Sequence, residues 1–134
     1  MLVIPQKEFD KIMEQVKEEE PIEACGVLAG KKSVDRRRVT KIYKSTNVLE
    51  SKHRYQIDPD ELMEIYQKID KKDLEVVGIY HSHPSSPSPS QIDKEKAVYT
   101  EVSYLIISLP EYEYASYYLE DDEFQKEELL IQKD

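Results

Sequence analysis

Apolar residues first recur at helical spacing at Phe9, Ile12, Met13 and Val16, which predicts an amphipathic helix over 7–20 that Pro21 stops. The run 24–30, Ala-Cys-Gly-Val-Leu-Ala-Gly, is continuously apolar and short, as a buried strand should be. A charged turn over 31–38 follows, and the β-branched stretch 39–48 reads as the hairpin partner. Asp58-Pro59-Asp60-Glu61 then opens a second helix, with Asp58 as N-cap and Glu61 as the reciprocal partner of a capping box. Its apolar stripe is Leu62, Ile65, Tyr66 and Ile69. The segment 74–80 is apolar on both faces and predicts a central strand that runs into His81-Ser82-His83. A Pro/Ser-rich loop over 84–89 leads to a short third helix from Ser90. Strands are expected over 102–109 and 112–119, with Asp121-Asp122 as a turn. The stretch 124–132 fits either a last strand or a short helix. Strands and helices interleave without a strict βαβ repeat, so the expected fold is a mixed α/β sheet flanked by helices.

Length and composition narrow the class. The chain has 134 residues, room for one domain over 1–134. Charged residues reach 35% against 39% hydrophobic, and the formal net charge is −9. Phosphate binding needs clustered Lys and Arg, so nucleic acid is a poor expectation for so acidic a chain. No apolar run approaches the ~20 residues of a membrane span, and the start turns charged too early for a secretory signal. The single cysteine, Cys25, leaves no internal disulfide and suits a reducing cytoplasm.

His81 and His83 lie two apart at a strand end, so both imidazoles leave one face. Asp93 falls in the first turn of the next predicted helix, where the helix dipole favours its anion. Two imidazoles and one carboxylate, with water as fourth ligand, are a sensible catalytic Zn²⁺ set. The same residues also read as a polar loop with two unrelated histidines, and Ser90 to Asp93 as a plain capping box. From the residues alone, both readings stand.

Further residues join this group. Glu23, in Pro21-Ile22-Glu23-Ala24-Cys25-Gly26, sits at the mouth of a buried strand, a place suited to a general base. Together with His81-Ser82-His83-Pro84 and Ser90-x-x-Asp93, it resembles the JAMM motif of the MPN+ metalloprotease family. Asn47, the segment Arg54-Tyr55-Gln56-Ile57-Asp58-Pro59 and the apolar strand into the histidines extend the likeness over most of the chain. The resemblance implies a cytidine-deaminase-like MPN fold, with a mostly antiparallel mixed sheet and one Zn²⁺ per chain. It implies His81, His83 and Asp93 as zinc ligands, Glu23 as base, and Ser90 as donor to the oxyanion. It also implies substrate contacts from Asn47, Arg54 and Tyr55 along a flanking insertion over 46–57. The substrate class implied is a ubiquitin-like or sulfur-carrier protein ending in Gly-Gly, cut after the last glycine by a free-standing prokaryotic member. One departure is visible: six residues separate His83 from Ser90, where the family has seven.

Rival readings come from other classes. A metal-free MPN scaffold would only bind proteins, but such scaffolds lack the ligands that this chain keeps. A branch associated with DNA repair shares the His-x-His-Pro loop, and the charge of −9 argues against it. Cys25 reads as a small buried residue, His53 as a surface or edge residue, and Ser82 as structural and turned from the metal. Arg36-Arg37-Arg38 reads as a solvated turn and the tyrosines at 112, 114, 117 and 118 as cross-sheet packing. The segment 111–134 holds nine acidic and two basic residues and reads as a solvent face.

Overall fold

The computed structural model describes residues 1–52, 54–83 and 101–133. The predicted 84–89 loop, the third helix from Ser90, and His53 lie outside them. In chain order the elements are β1 (Leu2–Pro5), α1 (Gln6–Glu19), β2 (Cys25–Lys32), β3 (Arg37–Ser45), α2 (Pro59–Lys71) and β4 (Glu75–His83). Then follow β5 (Ser103–Ser108), β6 (Tyr114–Glu120), β7 (Glu123–Glu127) and β8 (Leu129–Gln132). The eight strands form one sheet in the order β7-β6-β5-β4-β2-β3-β1-β8. The β2–β3, β2–β4, β5–β6 and β6–β7 pairs are antiparallel, and β1–β3, β1–β8 and β4–β5 are parallel. The mixed sheet expected from the pattern is the one observed.

Two features depart from the expected elements. β1 went unread because four buried residues carry no period, and its partners β3 and β8 lie far along the chain. The 124–132 stretch is neither a helix nor one strand but most of two, β7 and β8, separated by Glu128 alone. These two strands occupy opposite ends of the strand order, yet their chain ends are joined through one residue. Neighbouring Cα atoms are ~3.8 Å apart, so the sheet must curl until its two edges meet there. Contacts across the curl agree. Arg37 of β3 pairs with Glu127 of β7, donates to Ser103 Oγ of β5 at 2.6 Å, and lies 4.4 Å from the Tyr118 ring centre of β6. The solvated-turn reading therefore fails at Arg37, which closes the sheet. Burial by itself would raise the Glu127 carboxyl, but hydrogen bonds from Ser103 and Ser116, with Arg37, hold it below the ordinary value.

Alternation along the strands divides the core between the two faces. Leu28, Tyr80, Leu105 and Ile107 join Phe9, Ile12 and Val16 of α1 on one face. Val27, Ala29, Ile79 and Tyr104 join Ile65 and Ile69 of α2 on the other. α2 begins as expected, with Asp58 Oδ1 accepting from Asp60 N at 2.9 Å. Glu61 does not complete a capping box. Its carboxylate accepts instead from Thr46 N at 3.1 and 3.2 Å, while Asp58 N donates to Thr46 O at 3.2 Å. The helix start is thereby stitched to the end of β3, and the loop between them is held at both ends.

Gly26 faces Tyr80 across the β2–β4 ladder. Tyr80 Oη donates to Gln15 Oε1 at 2.5 Å, and Gln15 Nε2 donates to Cys25 O at 3.0 Å and Ser45 O at 3.4 Å. A Cβ on residue 26 would stand 2.3 Å from Tyr80 Cζ and Oη and 2.5 Å from Tyr43 O. The phenol cannot retreat without breaking this network, and the carbonyl belongs to the β3 backbone. Gly26→Ala should therefore cost about 3 kcal/mol, the upper end for overpacking, read as a lower urea midpoint at unchanged slope. An unchanged midpoint would show that Tyr80 has room to move.

Candidate metal centre

β2 and β4 run antiparallel with Cys25 opposite His81. Continuing that register by two residues brings Glu23 toward His83, at the end of the sheet where β4 stops. His81 and His83 share a face as their i, i+2 spacing requires, with ring centres 4.9 Å apart and planes at 66°. One donor atom from each of Glu23, His81 and His83 lies within 4.8 Å of the others. All three are buried, at 3%, 1% and 6% exposure. A buried carboxylate beside two imidazoles is costly unless something compensates it, and this donor set suits a divalent cation such as zinc. Ser90 and Asp93, which the sequence adds to the group, lie outside the described residues.

Glu23 and Ala24 precede the β2 ladder, so other groups hold their backbone. Ala24 N donates to Ser82 Oγ at 2.8 Å, and Ser82 N donates to Ala24 O at 3.0 Å. The residue between the two histidines is thus tied twice to the residue after Glu23. Ser82 is fully buried, and its structural reading gains a definite content: it sets the spacing between the two strand ends. Leu109 N donates to His83 O at 2.7 Å, fixing the end of β4 from the β5 side.

The 46–57 loop closes over this arrangement. Tyr55 stacks on His81, with ring centres 4.4 Å apart and planes at 21°. Asn47 is 2% exposed and donates through Nδ2 to Glu23 O at 3.0 Å and Arg54 O at 2.9 Å. Its Oδ1 accepts from Leu49 N and Gln56 N, each at 3.1 Å. Glu23 N donates to Ser51 O at 2.9 Å. Arg54 itself is exposed. Of the three residues expected to meet substrate, Asn47 faces backbone and Tyr55 faces a histidine. Sequence reasoning missed the Ser51 carbonyl altogether, since a backbone acceptor leaves no mark on side-chain pattern.

Cys25 is buried beside this group, and burial, with Glu19, Glu61 and Glu23 nearby, pushes its thiol up to about 12. Burial favours the neutral thiol, in keeping with its reading as a small buried residue. Among the described residues, no helix is long and apolar enough to cross a membrane.

A curled mixed sheet that gathers two histidines and a glutamate where its central strands end has the architecture of a JAB1/MPN domain. The model of prokaryotic homologs of the JAB domain matches residues 5–120, and the chain belongs to that family. A desampylase from Haloferax volcanii is 38% identical over 114 residues, covering 84% of this chain and 80% of that protein. A CysO-cysteine peptidase from Mycobacterium tuberculosis is 30% identical over 109 residues, covering 81% and 73%. Among solved structures, a protein from Desulfitobacterium hafniense superposes with TM-score 0.89 at 30% identity, over 100% of this chain and 94% of that one. A JAB1/MPN domain protein from Archaeoglobus fulgidus, 20% identical, shares the fold with TM-score 0.60 over 96% of each chain.

Proposed function

We propose that this chain is a zinc-dependent JAMM-type peptidase that hydrolyses the bond after the C-terminal glycine of a ubiquitin-like or sulfur-carrier protein. The observation that carries the reading is the buried Glu23–His81–His83 cluster, in a chain whose relatives include a desampylase and a CysO-cysteine peptidase. His81, His83 and Asp93 would hold the zinc. When bound, the ion supplies Lewis acidity, making water nucleophilic near neutral pH and polarising a carbonyl. Glu23 takes the proton of the attacking water and returns it to the leaving amine. Ser90 donates a hydrogen bond to the oxygen that gains charge. The substrate tail lies extended along the 46–57 loop, where Arg54 is exposed, and main-chain hydrogen bonds supply much of its affinity.

The test uses a carrier protein ending in Gly-Gly followed by a short extension. Cleavage should fall after the second glycine, stop with chelator and return with zinc. Valine in place of that glycine should remove most of the rate, because a Cβ beside the metal keeps the carbonyl away. A protein that retains no zinc and leaves the carrier intact would return the chain to the scaffold reading.

A further inference from the structure

We propose that Asn47 is a positioning residue for Glu23, so that the loop flanking the substrate also places the base. The inference rests on the hydrolase reading above and gives Asn47 a role other than substrate contact. Both backbone groups of Glu23 are held by this one loop: its N–H by Ser51 O and its carbonyl by Asn47 Nδ2. A buried backbone carbonyl outside any ladder needs such a donor.

The Asn47 amide has no capacity left. A carboxamide offers two N–H donors and two acceptor lone pairs, and here all four are used. The partners also fix its orientation, since a flipped amide would aim its oxygen at two carbonyls and its N–H groups at two amides. Asn47 therefore divides into two halves. The oxygen folds the loop by gathering Leu49 and Gln56, and the nitrogen ties that loop to Glu23 and Arg54. A tail that docks along the loop bears on the segment that anchors the base. Proton transfer tolerates little misplacement: about 1 Å can cost 10²-fold in rate.

Asn47→Asp separates the halves. It keeps an oxygen for the Leu49 and Gln56 amides and removes the donor to Glu23. We expect kcat to fall about 10- to 100-fold with KM changed much less, and zinc content to stay at the parent's value. The amides of Leu49 and Gln56, whose acceptor remains, should keep their protection, while the Glu23 amide should exchange faster because Ser51 O alone then ties that strand end to the loop. Introduced into Glu23→Gln, the substitution should add no further loss, because it acts through the group already removed. Should the aspartate variant fail to fold, Asn47→Ser, which shortens both halves, should still lower kcat with zinc retained and speed exchange at Glu23, Leu49 and Gln56 together. An unchanged kcat, a rise in KM alone, or a fully additive loss would overturn the proposal. So would undiminished protection at the Glu23 amide. Faster exchange at Glu23 in Asn47→Asp, together with a parent protein that cleaves no carrier, would refute the hydrolase reading and sustain the clamp.

Discussion

Glu23→Gln should leave the zinc in place and abolish turnover, by at least ~10²-fold, the usual contribution of a general base. The substitution is close to isosteric, which matters at a side chain only 3% exposed. Its backbone anchors, Ser51 O and Asn47 Nδ2, do not depend on the carboxylate. What changes is charge: an amide cannot accept the proton of the attacking water. Metal analysis and carrier cleavage on one preparation read the two consequences separately. The structure makes the metal reading informative, because Glu23 lies within the same 4.8 Å cluster as both histidines. Zinc lost in Glu23→Gln would make Glu23 a ligand. Zinc kept with turnover unchanged would remove it from the chemistry.

Much of the fold was legible because local pattern and burial coincide. α1, β2, β4 and β5 are amphipathic or continuously apolar, and each is found near its predicted bounds. The Asp121-Asp122 turn appears with φ of 51° and 62°, the left-handed pair that a two-residue hairpin loop requires. The failures share a cause: they depend on partners distant in sequence. β1 is a strand only because β3 and β8 flank it, and the break between β7 and β8 exists because the sheet curls. Arg37 looked like one of three solvated arginines until Glu127, ninety residues on, came opposite it. Glu61 had a local partner by pattern and a better one in Thr46, across the loop.

The candidate site was legible to the extent that its chemistry resides in side chains. His81 and His83 at i, i+2 announce a shared face, and Glu23 stands just ahead of an apolar strand. The antiparallel register of β2 on β4 then supplies what spacing could not, the meeting of residues nearly sixty positions apart. The supporting contacts were not legible. Ser82 Oγ and Ser51 O act on backbone groups, and Tyr55 stacks on the buried His81 ring. Such roles follow from where a loop closes, which in turn depends on Thr46 being held by α2.

Removing both histidines should have the broadest effect. The parent should hold about one zinc per chain, as a site with three protein ligands does. His81→Ala/His83→Ala keeps at most the carboxylate of the proposed set, so zinc should be absent after dialysis and carrier cleavage undetectable. Zinc that binds only the folded chain stabilises it by mass action, so the parent's melting temperature should rise with added zinc. The double variant should melt at one temperature whatever the zinc concentration. It should also melt below the zinc-free parent, since two nearly fully buried rings are lost and Tyr55 loses its stacking partner at 4.4 Å. That second difference separates packing from metal: it persists in chelator, whereas the zinc-dependent part vanishes. Full zinc occupancy in the double variant would refute the assignment of these histidines and place the metal elsewhere. A zinc-free variant whose stability equals that of the chelated parent would instead show that the rings serve the metal and contribute nothing to the core.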